Sequence, residues 1–297
     1  MTQEEKIQDL EQQLDEITTI AAEQVYNIVK ILSVAVSCQE RNYEGSHSHF
    51  VAQKSVEVAR ILGMDETEIF EIEAAGLLHD IGKLALSQTI NKKFQTEMTR
   101  QETELYQKHP LMAQRMLSYS PQLDNIGKII LQHHEHLDGS GFPKHLQGKE
   151  ILPGAAIIAV VDAYHNLFYK ISTKNKIAGA TPVPLSNNSL YIESTQTKYN
   201  NAIKYLFKYS GIFFDTKVVD IFTELIDKER KTIGGATVLR VQLNKLEPGW
   251  IFADDYFSSN GLLLAARGET ITPNIKKTLL KLAEHGELPL KIVIMKP

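Results

Sequence analysis

Residues 76–83, Gly-Leu-Leu-His-Asp-Ile-Gly-Lys, close an apolar helical run, ETEIFEIEAAGLLH, that occupies residues 66–79. Adjacent side chains on a helix diverge by about 100°. His79 and Asp80 can therefore address one ion only where the helix end sits against it, and Gly82 is compatible with the helix finishing there. An imidazole nitrogen and a carboxylate oxygen suit zinc, iron or manganese, and a carboxylate can bridge two ions. The alternative is a plain hydrogen-bonded pair in the core or on the surface.

Three further features lie outward from that stretch. In LQHHEHLDGSGFP (residues 131–143) two consecutive histidines, His133 and His134, end an apolar helix and are followed by Glu135 and the turn residues Asp138, Gly139 and Gly141. His109 stands in KHP, and Asp162 interrupts the apolar run AAIIAVVDAY. A lone Asp in such a run is costly to bury unless it has a structural partner or a metal. Nine of the ten histidines fall between His47 and His165, and histidine is the commonest side-chain metal ligand.

The wider pattern predicts a mainly α protein. Residues 1–36 read as one long helix. Ile7, Leu10, Leu14, Ile17, Ala21, Gln24, Ile28, Ile31 and Ala35 form a heptad seam along it, the signature of a two-stranded coiled coil; a stripe laid on the helix's own domain is the alternative. Further helices are expected at 47–62, 66–79, 100–118, 122–134, 153–171, 198–208 and from Thr216. Residues 171–197 show no period and read as a long loop. After Gly234-Gly235, VLRVQL, WIFADDYF, LLLAA and KIVIM suggest strands, SSNG (258–261) a hairpin turn, and 273–284 a helix. The expected division is a helix at 1–36, a helical domain at 37–232 and a small α+β appendage at 236–297.

Composition narrows the function classes. With 43% hydrophobic and 23% charged residues and a net charge of -4, the chain reads as an ordinary globular protein with no electrostatic footprint for duplex nucleic acid. A single cysteine, Cys38, removes disulfides and Cys-based zinc sites. The polar, acidic start and the lack of a run of about 18 apolar residues predict a cytoplasmic protein with no membrane segment.

Taken together, HSHFVA, HDIGK, the HP histidine, HHE-x-x-DG-x-G-x-P and the apolar run ending in Asp resemble the HD-GYP family, all-helical members of the HD phosphohydrolase superfamily that hydrolyse cyclic dinucleotides. The resemblance runs from about Gly45 to Leu225 and implies an HD-type helical bundle. It implies one metal held by His47, His79, Asp80 and Asp162, with Asp80 bridging to a second held by His109, His133 and His134. It also implies that Lys83 reaches a substrate phosphate, that Gly141, Phe142 and Pro143 lie at the substrate, and that Glu135 orients a ligand. Glu44 stands one residue from a position that holds a third ion in some members, where this chain has Tyr43, so two divalent ions are expected. Iron or manganese comes ahead of zinc or nickel, because the donors are His and Asp without thiolate. The implied reaction is attack of a metal-activated hydroxide on one phosphodiester bond of cyclic di-GMP, giving linear pGpG. The implied partners are a cyclic dinucleotide, a second copy through the N-terminal helix, and a signalling protein.

The chain departs from the family pattern at four places. Phe142 replaces the GYP tyrosine, His165 the second Asp of D-x-x-D, and Asn166 an alanine, while an Arg-Pro-Tyr-Arg stretch is missing where the 171–197 tract stands. Two alternatives therefore accompany the phosphodiesterase reading: a catalytically weak, metal-bound cyclic dinucleotide sensor, and a phosphohydrolase acting on another nucleotide. Of the remaining histidines, His49, His136, His145 and His165 read as surface residues, with His165 set apart because it replaces an acidic family residue.

Overall fold

The computed structural model describes residues 3–38, 40, 47–91, 93, 97–169, 189–233, 237–253, 256–257, 263–265, 269–284 and 291–296. Its helices are α1 (Gln3–Ser37), α2 (His47–Leu62), α3 (Glu66–Leu78), α4 (Gln88–Asn91), α5 (Arg100–Tyr106), α6 (His109–Leu117), α7 (Asp124–Gln132), α8 (Pro153–Tyr169), α9 (Ser189–Tyr209), α10 (Thr216–Ile233) and α11 (Pro273–Glu284). Its strands are β1 (Thr237–Gln242), β2 (Ile251–Phe252), β3 (Tyr256–Phe257), β4 (Leu263–Ala265) and β5 (Lys291–Lys296).

Helix α8 organises the helical part. Ala155, Ile157, Ile158, Val160 and Val161 are all buried, and α8 touches α2, α3, α7, α9 and α10. An apolar surface on nearly every side belongs in the middle of a bundle. Helix α3 starts on a reciprocal capping box: Glu68 N donates to the Asp65 carboxylate and Asp65 N to that of Glu68. It then buries Ile69, Ile72, Ala74, Ala75, Leu77 and Leu78. Two glycines permit close approaches that position the later site. A Cβ on Gly76 would lie 2.6 Å from Ala52 Cα, so α2 and α3 meet almost backbone to backbone. A Cβ on Gly82 would lie 1.9 Å from the His109 carbonyl oxygen, so the 3-10 turn Ile81–Ala85 rests on the start of α6.

Helix α1 has two faces. Val29, Ser33 and Val36 are buried, and Val25 and Leu32 pack beside them. The seam residues Ile7, Leu10, Leu14, Ile17, Ile28 and Ile31 are 43–70% exposed. The stripe laid on the domain is thus the neighbouring one, and the seam stays free along the helix. Lys6–Ser37 also reaches the length and mean hydropathy, 1.2, of a membrane-crossing helix. Polar Thr18 and Gln24 interrupt the run, so a count of consecutive apolar residues does not find it.

Two expected elements differ. Residues 100–118 form two helices, because Pro110 has no N–H with which to continue α5 and instead starts α6. The expected loop at 171–197 is helical from Ser189, where α9 begins. That segment contains no Gly or Pro, and α9 is anchored beyond it by buried Tyr199, Ala202 and Leu206. Residues 170–188 of that tract, and the SSNG turn, lie outside the described residues.

In the C-terminal segment the strand order is β1-β5-β2, antiparallel, with Val238 opposite Met295 and Phe252 opposite Ile294. Leu243, Leu246, Phe252, Ile271, Leu279, Ile292 and Ile294 form a core that shares no residue with the helical one.

Gly82→Ala is expected to cost about 2–3 kcal/mol, since backbone rather than a movable side chain fills the space. A thermal melt matching the parent would refute the close approach.

Candidate metal centre

The ends of four helices and the middle of a fifth converge. Helix α3 stops at Leu78, and Asp80 has left helical geometry with φ -95° and ψ 4°. That departure turns His79 and Asp80 toward one place, although they are sequence neighbours. His47 is the first residue of α2 and His109 the first of α6. His133 follows the last residue of α7, and Asp162 comes from mid-α8.

Two clusters result. In the first, His47 Nε2 lies 3.1 Å from His79 Nε2 and 3.1 Å from Asp162 Oδ1. His79 Nε2 lies 3.6 Å from Asp80 Oδ2 and 3.7 Å from Asp162 Oδ1, and His47 Nε2 is 4.0 Å from Asp80 Oδ2. Donors about 2.1 Å from a common ion stand roughly 3.0–3.4 Å apart, close to this spacing. In the second, the ligand atoms of His109, His133 and His134 lie within 4.8 Å of one another. Asp80 joins the two, with Oδ2 toward the first cluster and Oδ1 3.6 Å from His109 Nε2.

The hydrogen-bond pattern prepares the rings as ligands. Nδ1 of His79, His109 and His133 lies 2.9, 2.8 and 2.6 Å from the carbonyl oxygens of Gly76, Tyr106 and Ile130. A carbonyl only accepts, so each Nδ1 carries the proton and each Nε2 presents a lone pair inward. Among the described residues, Nε2 of His109, His133 and His134, and Asp80 Oδ1, are buried without a hydrogen-bond partner. Orphaned acceptors in a dry interior are costly. A divalent ion satisfies such a set, and these residues fit one.

Electrostatics keep the donors in ligand form. Burial holds the imidazole of His109 well below its ordinary value, with Lys83 adding to the effect. Burial, then His133 and His109, does the same for His134. Burial lowers His133 to about 4, helped by His79. Burial pushes the Asp80 carboxyl up, but Lys83 foremost, then His79, His109 and His47, hold it well below the usual range. Burial likewise opposes ionisation of Asp162, and the hydrogen bond and charge of His47 outweigh it.

Around the ligands, Lys83 Nζ is 2.5 Å from Asp80 Oδ2 and 5.3 Å above the Tyr106 ring, and its side chain keeps some exposure. Glu135 is buried and faces away from the imidazoles. It accepts from Lys144 N at 2.6 Å and Leu146 N at 3.0 Å, pinning the turn that follows α7. Gly141 lets that turn close, since a Cβ there would fall 2.4–2.5 Å from backbone atoms of His134, Glu135 and His136. Phe142 N donates to the His134 carbonyl, and the Phe142 ring lies 4.7 Å from His134 and 6.4 Å from His109. The Phe142 ring thereby walls the second cluster. Glu44 and Tyr43 lie outside the described residues.

One sequence reading needs correction. His165 is not a surface residue: it is 2% exposed, and its Nδ1 lies 3.0 Å from His47 Nδ1. Its neighbour Asn166 donates Nδ2 to Asp162 Oδ1 at 2.7 Å. The sequence marked both only as departures from the family pattern, although their i+3 and i+4 spacing from Asp162 on one helix face was a usable signal. Of the others, His136 is half-buried and stacks on Phe213, and His145 is exposed.

Residues 15–181 match the model of the HD domain family. The chain belongs to the HD domain family. It is 29% identical over 229 residues to a cyclic di-GMP phosphodiesterase of Thermotoga maritima, covering 76% of this chain and 59% of that protein. It is 33% identical over 165 residues to the cyclic di-GMP phosphodiesterase response regulator RpfG of Xanthomonas campestris pv. campestris, covering 55% and 38%. It is 35% identical over 155 residues to 3'3'-cGAMP-specific phosphodiesterase 2 of Vibrio cholerae, covering 52% and 28%. This HD domain chain thus spans between about a quarter and three fifths of the length of these relatives.

The buried imidazoles set an acid sensitivity for the metal-free HD domain. Once unfolded, they protonate below about pH 6.5, whereas in the fold they stay neutral to lower pH, about 4 for His133. The unfolded chain therefore binds more protons across that window, and stability falls as pH falls through it. Asp80 and Asp162 are ionised in both states there and add no slope. The melting temperature of chelator-treated protein is expected to drop from pH 7 to pH 5; a flat profile would contradict the assignment.

Proposed function

We propose that this HD domain chain is a metal-dependent phosphodiesterase that opens a cyclic dinucleotide, cyclic di-GMP foremost. The observation that carries the reading is the set of orphaned, inward-facing donors of His109, His133 and His134 beside Asp80 Oδ1, with His47 and His79 gathered on the other side of Asp80. The relatives described above act on cyclic dinucleotides, which supports the substrate class.

His47, His79, Asp80 and Asp162 would hold one ion and His109, His133, His134 and Asp80 the other, with iron or manganese suited to these donors. Bound ions there would supply charge for the non-bridging phosphate oxygens and lower the pKa of a nearby water. Asp80 sets the spacing between the two halves by offering one oxygen to each. Lys83 holds Asp80 ionised and, by swinging its partly exposed ammonium, meets an incoming phosphate. The wall formed by Gly141, Phe142 and Pro143 keeps bulk water off the His109 and His134 rings, and Glu135 holds that wall by its two backbone hydrogen bonds. The 37–232 segment would be the catalytic unit and the 236–297 segment an accessory one.

The test is protein loaded with Mn²⁺ or anaerobically with Fe²⁺ and mixed with cyclic di-GMP, with 3'3'-cGAMP run in parallel. Linear pGpG is the expected product. Asp80→Ala is expected to lose more than about 100-fold in rate, because both ions lose a ligand. Binding without turnover would favour the sensor reading, and neither would favour another nucleotide.

The exposed seam of α1 supports a parallel two-stranded coiled coil with a second copy. A bilayer-spanning α1 would conflict with Val29 and Val36, which pack into the same core as Val51 and Leu78, so a cytoplasmic dimer is the reading adopted. Leu14→Asp with Ile17→Asp is expected to convert the dimer to a monomer by analytical ultracentrifugation without changing metal content. A dimer that survives both changes would exclude the seam.

A further inference from the structure

We infer that His165 is a positioning residue for the first ion, the support behind His47, and that Asn166 does the corresponding work for Asp162. The inference rests on the metal-centre reading above. His165 lies one helical turn beyond Asp162 on α8, buried among Phe50, His47 and Asp162, with ring centroids 4.7 Å from Phe50 and 4.8 Å from His47. Asn166 Nδ2 bonds both Asp162 Oδ1 at 2.7 Å and the Asp162 carbonyl at 3.0 Å. One residue thus aims Asp162 and the next backs His47.

The chemistry follows from who can donate. His79 spends its only ring proton on the Gly76 carbonyl, so its Nε2 is an acceptor. To ligate an ion, His47 must likewise present a bare Nε2 and carry its proton on Nδ1. His165 Nδ1, 3.0 Å away, is then the acceptor, with its own proton on Nε2. The neutral partner also adds no negative charge behind the ligand, so this ion is held less tightly than a carboxylate-backed one.

The experiment uses the full chain and Zn²⁺, a diamagnetic probe. Long-range ¹⁵N–¹H imidazole spectra of the parent protein should show His165 in the Nε2–H form with Zn²⁺ bound. Competition with a chromophoric chelator should give two bound equivalents. His165→Phe should weaken one of them roughly 10- to 100-fold and leave the other unchanged, and His165→Gln, whose amide oxygen accepts from His47, should recover most of the loss. Asn166→Ala should weaken the same equivalent. Two equivalents in the parent with His165 in the Nδ1–H form, or with His165→Phe binding as tightly, would overturn this inference and leave the metal centre standing. No Zn²⁺ binding by the parent would overturn both. The spectra need no variant, so a His165→Phe chain that fails to fold does not remove the test.

Discussion

Unpaired acceptors in a dry interior are the constraint on which the helical part depends. Among the described residues, Nε2 of His109, His133 and His134 and Asp80 Oδ1 are buried with no hydrogen-bond partner, each at a cost of about 1–3 kcal/mol. An apolar core would close over such groups only if rotation to a protein partner were blocked. For His109 and His133 it is blocked, because Nδ1 is already bound to a carbonyl three residues earlier. The fold holds the acceptors aimed at one another, and a divalent ion between them satisfies what the protein leaves open.

Helix ends make that aim possible. A residue inside a helix shares its face with i+3 and i+4, so neighbours such as His79 and Asp80, or His133 and His134, could not converge there. Each pair sits where its helix has stopped, and His47 and His109 sit where theirs begin. The surrounding apolar packing fixes the ends. Gly82 sets the approach of the His79–Asp80 turn to His109, and Gly76 sets that of α3 to α2. Asp162 is the exception, held mid-helix on buried α8, where the following side chain Asn166 orients its carboxylate.

Residues that depart from the family pattern have not left gaps. His165 reaches His47, Asn166 reaches Asp162, and Phe142 packs on His134. These contacts were not legible from residue types alone. A histidine outside the ligand pattern reads as surface even within an apolar run, and only the burial of the α8 face shows that its ring has a ligand behind which to stand. The same limit applied to helix boundaries. Pro110 signalled a break, yet the apolar period ran across it, while the aperiodic stretch before Thr197 showed no sign of the helix that begins at Ser189.

Local pattern by itself determined the helical class, the seam of α1, the strands after Gly235 and single donor candidates such as His79, Asp80 and Asp162, because period, turn residues and donor chemistry are short-range properties written in neighbouring residues. Tertiary structure gathers the candidates into the two groups that the family resemblance implied, and it alone decided that Glu135 turns to a loop rather than to a ligand and that His165 lies inside. Those outcomes depend on distances between residues up to 118 positions apart. Such distances are set by how helices pack, and no local sequence property carries them.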